Sequence, residues 1–260
     1  MRPDRSELIA HHPFPLDTFQ LRALDALDAG NSVLVAAPTG SGKTVVAEYA
    51  IAAAVADGKR AFYTAPIKAL SNQKFHDLGE IHGPDRVGLL TGDNSIHGDA
   101  PVVVMTTEVL RNMIYGHSSA LDQLAYVVLD EVHFIQDTYR GPVWEEVIIH
   151  LPPHVRLVCL SATVSNAEEV ADWISTVRGP TTAVIEEKRP VRLDNLYMVG
   201  DRTSDRLHLM PTLIDGRPNH EAERLDGDSR RGRPGPRGRR QGAQGQARRK
   251  LYTPARLDLV

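Results

Sequence analysis

The run Ala37-Pro38-Thr39-Gly40-Ser41-Gly42-Lys43-Thr44 sets two glycines, a lysine and a hydroxyl at the spacing that folds backbone amides around a phosphate chain. Lys43 would reach the β- and γ-phosphates of ATP, and Thr44 would offer its hydroxyl to Mg²⁺. The strict pattern has glycine where this chain has Ala37. That first position only leaves the preceding strand, so alanine suits it if its φ is negative, whereas Gly40 and Gly42 lie where the loop must close. A second group follows: the apolar run before Asp130 and Glu131 brings two carboxylates to the end of a buried strand, at the sheet edge where ligands bind. Asp130 is expected in the Mg²⁺ shell through water, and Glu131 as the group that polarises an attacking water. Lys43, Asp130 and Glu131 form the candidate catalytic set. The plain alternatives are a glycine turn and an acidic strand end meeting solvent; their occurrence together, in this order, favours a nucleotide site.

These side chains need a scaffold, and the pattern up to about Glu187 supplies one. Short β-rich runs at 32–37, 60–65, 86–90, 101–107, 125–131, 156–162 and 182–186 alternate with helical patterns at 43–57, 67–81, 107–116, 143–151 and 167–175. Alternation of this kind predicts an α/β domain with a mostly parallel sheet built from βαβ units. The Val/Leu/Ile runs show little polar alternation, as expected when helices cover both faces of a strand.

With 260 residues the chain can hold one large domain and extra segments. Its single cysteine, Cys159, excludes an intrachain disulfide and suits a reducing compartment. The start lacks a signal-peptide core, and no apolar run approaches the roughly 18 residues of a membrane span. The cytoplasm, with no membrane contact, is therefore the default expectation. Nine Lys or Arg and no Asp or Glu fall between Arg230 and Lys250, so the net charge of −3 hides an acidic body and a basic tail. Residues 216–250 are Arg/Gly/Pro-rich and are expected to be a disordered linker, with weak polyanion contact as a secondary property.

At this point the motifs resemble a family. Asp130-Glu131-Val132-His133 reads as a DExH box, and the alanine-first phosphate loop is the form usual in superfamily-two helicases. "PIKALSNQKF", "LLTGD", "TTEVLRNM" and "LSAT" fall in the order of that superfamily's segments Ia, the threonine-glycine segment, Ib and III. With the stretch 141–174 they are most similar to superkiller-type DExH helicases, and among those to bacterial HelY-type proteins, from about Phe14 to about Val199. The resemblance implies a first RecA-like motor domain over 1–200, a P-loop NTPase of three layers, with 201–260 a linker or tail. It implies Gln20 as an adenine contact beside the loop Ala37–Thr44, and His133, Ser161 and Thr163 as residues coupling nucleotide state to strand position. Lys68, Asn72, Gln73, Thr91, Thr106 and Thr107 would then contact the backbone of single-stranded RNA or DNA, with 3′ to 5′ polarity. For each of these alone, an ordinary solvated or helix-capping position is the simpler reading.

A helicase of this superfamily has two RecA-like domains, and nothing in the sequence resembles motifs IV to VI of the second. The chain is thus expected to be the first motor domain plus linker, working with a second RecA-like domain in cis or trans. Alone it would bind Mg²⁺ and ATP yet hydrolyse feebly. A non-catalytic module that holds nucleic acid or a partner is the competing reading. A P-loop kinase or transporter ATPase gains little support, since "SAT" with "DEVH" has no assigned role in either.

Overall fold

A computed structural model describes Arg5, His12, residues 14–201 and residues 206–221. The chain divides into two units, Met1–Pro190 and Val191–Val260. In the first, an eight-stranded sheet is built from β1 (Ser32–Ala36), β2 (Arg60–Ala65), β3 (Val87–Leu90), β4 (Ser95–Ile96), β5 (Val102–Thr106), β6 (Leu124–Leu129), β7 (Arg156–Ser161) and β8 (Thr181–Ile185). Their order is β4-β3-β5-β2-β6-β7-β1-β8. Only the β3–β4 pair is antiparallel; all other neighbours run parallel.

The strands form where both faces can be buried. Along β1, Val33 and Val35 enter one apolar layer while Leu34 and Ala36 enter the other. The same alternation runs through Ala61, Phe62 and Tyr63 on β2 and through Leu157 to Leu160 on β7. One layer is closed by α1 (Thr18–Asp28), α2 (Thr44–Ala56) and α3 (Lys68–His82), the other by α4 (Thr107–Tyr115), α5 (Gly141–His150) and α6 (Ala167–Arg178). Burying a Val or Leu side chain contributes about 1.5–3 kcal/mol, so a two-sided strand of this composition has no stable exposed alternative. Helix α2 is apolar nearly all round because its small alanines let it lie close on the sheet. It stops at Gly58 in a Schellman turn, with the Lys59 amide donating to Ala54 O at 2.9 Å and the Gly58 amide to Val55 O at 3.1 Å.

All seven expected strands are present, and the five expected helices occur within a few residues of their expected ends. β4 was not expected: two exposed residues at a sheet edge carry no apolar run to betray them. The second unit holds two short antiparallel pairs. β9 (Leu196–Asp201) pairs antiparallel with β10 (Arg206–Pro211), and β11 (Leu213–Ile214) with β12 (Arg217–Pro218). Among the described residues these strands bond to one another and not to the eight-stranded sheet. The expected disordered stretch, 216–250, lies outside the described residues beyond Glu221. Among the described residues no helix is long and apolar enough to cross a membrane.

Candidate nucleotide and nucleic-acid site

The sheet order sorts the motif loops into two groups. β6, β7 and β1 are adjacent, and their C-terminal ends lead into the acidic pair, the Ser-Ala-Thr turn and the phosphate loop. β3, β5 and β2 are likewise adjacent and lead into Thr91, Thr106 and the first turns of α3. In a parallel sheet every such loop leaves from the same edge, so the two groups lie side by side along it. The seam between them is the β2–β6 pair.

In the phosphate loop Gly40 and Gly42 both have φ of 82°, and Ala37 keeps out of the positive range. The alanine is therefore no obstacle. Its amide donates to Ser161 O at 3.2 Å, which ties the loop's origin to the end of β7. The Lys43 ammonium donates to Ala37 O at 2.7 Å and to Pro38 O at 3.2 Å, arching over the loop. Burial pushes the Lys43 ammonium below its ordinary range, while Glu131 and then Asp130 hold it up. The acidic pair thus acts electrostatically on the phosphate-loop lysine. Thr44 opens α2, Thr39 is exposed, and the buried Ser41 hydroxyl has no protein partner.

Gln20 is buried at the third position of α1. Its carbonyl oxygen accepts the Asp17 amide at 2.7 Å, half of a capping box, and its amide donates to Gly42 O at 2.9 Å. It locks α1 to the phosphate loop. Next to it a cavity of about 350 Å³ is lined by Thr18, Phe19, Ser41 and Lys188, among others.

Asp130 follows β6 and is held at both oxygens. Oδ2 accepts the Tyr63 hydroxyl at 2.6 Å, and Oδ1 accepts the Glu131 amide at 3.0 Å. Burial, then the charge of Asp130, pushes the Tyr63 phenol well above its ordinary range, so the phenol is a donor at neutral pH. Glu131 has φ of 53°, a left-handed conformation that costs a non-glycine residue about 1–3 kcal/mol and that clusters at functional sites. His133 Nδ1 lies 3.2 Å from Glu131 Oε2. His133 and Ser161 line one small cavity, and the Ser161 hydroxyl is buried without a partner. Thr163 is exposed. A link between the same two segments that the sequence did not suggest is Gln136, whose amide donates to Asn166 Oδ1 at 2.7 Å.

On the other half, Lys68 is ion-paired with Asp93, whose second oxygen accepts the Thr91 hydroxyl at 3.0 Å. Lysine, then threonine, hydrogen bonding holds the Asp93 carboxyl below its ordinary range. Asn72 and the exposed Gln73 follow on α3. Thr106 is the N-cap of α4 and is partly exposed, but Thr107 is fully buried, so its hydroxyl is turned away from any strand. Thr106 and the first amides of α4 stay at the partly exposed start of the helix.

A family model for the DEAD/DEAH box helicase matches residues 17–170, which contain both halves of this edge. The chain belongs to that family. It is 62% identical over 196 residues to the probable helicase HelY of Mycobacterium leprae, covering 75% of this chain and 21% of that protein. Human superkiller complex protein 2 is 49% identical over 205 residues, covering 78% of this chain and 16% of that protein. The chain therefore spans about a fifth of the length of the curated relatives it matches. Among solved structures, the Mycobacterium smegmatis helicase Lhr bound to ssDNA and AMP-PNP aligns with a TM-score of 0.58 at 28% identity, covering 72% of this chain and 28% of that one. The fold is thus the RecA-like α/β fold of the DExH helicases.

Proposed function

We propose that this chain is the ATP-binding motor half of a nucleic-acid helicase: it binds Mg·ATP on the β6-β7-β1 half of the sheet edge and single-stranded RNA or DNA on the β3-β5-β2 half. The observation that supports the reading is the phosphate loop itself, with Gly40 and Gly42 both at φ of 82° and the Lys43 ammonium arched over its carbonyls, at the sheet edge where β6 also brings Asp130 and Glu131. The loop amides and the start of α2 favour an anion, and Lys43 can turn from its own carbonyls to the β- and γ-phosphates. Among the described residues no cluster of three His, Cys, Asp or Glu side chains could hold a metal by itself. That suits Mg²⁺ held by Thr44, Asp130, water and phosphate oxygens. The ion would screen phosphate charge and hold the phosphates in line for attack. Glu131 would orient the attacking water, aimed by its left-handed backbone. Gln20 keeps one amide hydrogen and one lone pair unspent for an adenine edge, and the neighbouring 350 Å³ cavity has room for the base. On the other half Lys68, Asn72, Gln73, Thr91 and Thr106 would follow a strand's phosphates.

Hydrolysis coupled to strand movement would require a second RecA-like domain, in cis or trans, to close on this one. Arginine fingers supplied by such a partner are worth about 10³–10⁵ in turnover. The test is calorimetric titration of the chain with Mg·ATP, with Lys43→Ala alongside. Binding that Lys43→Ala abolishes, with slow hydrolysis and no unwinding by the isolated chain, is expected. Absence of heat with the wild type, or an unaltered Lys43→Ala titration, would overturn the reading. Glu131→Gln should bind ATP normally and abolish any nucleic-acid-stimulated phosphate release, whereas a non-catalytic module would be indifferent to it.

A further inference from the structure

None of the chemistry above uses Tyr63, yet its position is unusual for a core aromatic. It lies on β2 in the layer shared with α1, α2 and α3 and is fully buried. β2 and β6 pair with Tyr63 opposite Val128 and Thr64 opposite Leu129, so Asp130 lies just beyond the end of the paired register. The Asp130 amide donates to Thr64 O at 3.0 Å, and its carboxylate receives the Tyr63 hydroxyl at 2.6 Å. A buried hydroxyl without a partner is costly, and phenylalanine would fill the same apolar space without that liability. The hydroxyl therefore has a specific use, and its acceptor is the carboxylate expected to face magnesium. Hydrogen bonds to an ionised acceptor are the strong ones, and this one fixes an oxygen that would otherwise be free to rotate. The Lys74 ammonium on α3 lies 5.9 Å from the centre of the Tyr63 ring. Tyr63 thus touches both the nucleotide half and the helix that carries Lys68, Asn72 and Gln73.

The geometry points to Tyr63 as a positioning residue that holds the Asp130 carboxylate in the orientation magnesium requires and so sets the Mg²⁺ dependence of ATP binding. This rests on the assignment of Asp130 proposed above. Removing a hydrogen-bond partner of a metal-facing group costs about 10–100-fold in metal affinity. For a carboxylate acting through water the lower end applies, about tenfold.

The test titrates an N-methylanthraniloyl-ATP probe into the full 260-residue chain at a series of Mg²⁺ concentrations. Wild type, Tyr63→Phe, Asp130→Asn, Lys43→Ala and Thr64→Val are compared. Tyr63→Phe should raise the Mg²⁺ midpoint about tenfold while binding at saturating Mg²⁺ stays near wild type. Thr64→Val removes a different buried bond across the same strands, Thr64 Oγ1 to Val128 O at 3.1 Å, and should lower the melting temperature without moving the midpoint. It calibrates any loss of stability in Tyr63→Phe. A Tyr63→Phe midpoint equal to wild type, with Asp130→Asn shifted, overturns the proposal. So does a Tyr63→Phe loss that is equal at every Mg²⁺ concentration, or matched by Thr64→Val, since packing alone would produce either. Unaltered probe binding by Lys43→Ala overturns the nucleotide site itself, and the role of Tyr63 with it.

Discussion

Substituting Gly42 by alanine should be markedly worse than substituting Gly40, although the two share a φ of 82°. A side chain at that φ costs about 1–2 kcal/mol in either case. At Gly40 a new Cβ would meet nothing within 4 Å, so the cost ends there. At Gly42 it would lie 2.7 Å from Gln20 Nε2, well inside contact distance. Gln20 must then move, and its bonds to Gly42 O and the Asp17 amide go with it. At about 1 kcal/mol per bond, Gly42→Ala should cost about 3–4 kcal/mol against about 1–2 for Gly40→Ala. Urea denaturation measures both, and Mg·ATP titration should show the same ranking. The decisive variant is Gln20→Ala/Gly42→Ala. With the obstructing amide gone, the double substitution should cost about 1–2 kcal/mol less than the sum of the singles. Equal costs for the two glycines, or strict additivity in the double variant, would refute the claim that Gln20 is locked to the phosphate loop.

Three further outcomes follow from charge and burial. Asp93→Asn releases Lys68 and the Thr91 hydroxyl from a competing carboxylate, so it should tighten binding to a single-stranded oligonucleotide and steepen its log–log salt dependence by about 0.7 per phosphate newly engaged; an unchanged slope in a fluorescence-anisotropy titration would separate Lys68 from nucleic acid. Burial pushes the Cys159 thiol up to about 12, so the folded chain should resist iodoacetamide at pH 8 and react only on unfolding. The same shift fixes a sign. Above pH about 9 the unfolded chain releases this proton while the folded one keeps it, so stability falls by at most about 1.4 kcal/mol per pH unit up to about 12. Cys159→Val should make that alkaline decline shallower in denaturation curves taken across the interval, and an identical decline would count against the buried thiol.

What the sequence revealed follows from what each residue must do locally. Strands such as Ser32–Ala36 are legible because every position is buried, which forces an unbroken apolar run. The phosphate loop is legible because its glycines have positive φ that other residues tolerate poorly. The capping box was also readable, since Asp17 precedes Gln20 by three positions just before an apolar helix, a signal that competes with an adenine contact for the same side chain. Tyr63 carried no such mark. An aromatic inside a buried strand reads as core, and only the register against β6 shows what its hydroxyl meets. Thr107 shows the opposite case, because adjacent threonines at a strand end do not say which one turns inward, and it is Thr107 that is buried.

Both sets of loops leave one sheet edge, and the strand order keeps them apart without isolating them. If β2 and β6 were not neighbours, a change at the acidic pair would have to pass through flexible loops to reach α3. As neighbours they share backbone bonds, the Thr64 hydroxyl bond and the Tyr63–Asp130 bond. Arg140, just before α5, adds a bond from its guanidinium to Pro66 O at 3.3 Å, where β2 leads into α3. Packed strands do not deform continuously, so a small displacement of Asp130 has to be taken up at the β2 end as a shift of the whole turn. On the proposed reading, nucleotide state and strand grip would be coupled through this seam, and the coupling would need no contact between the two ligands.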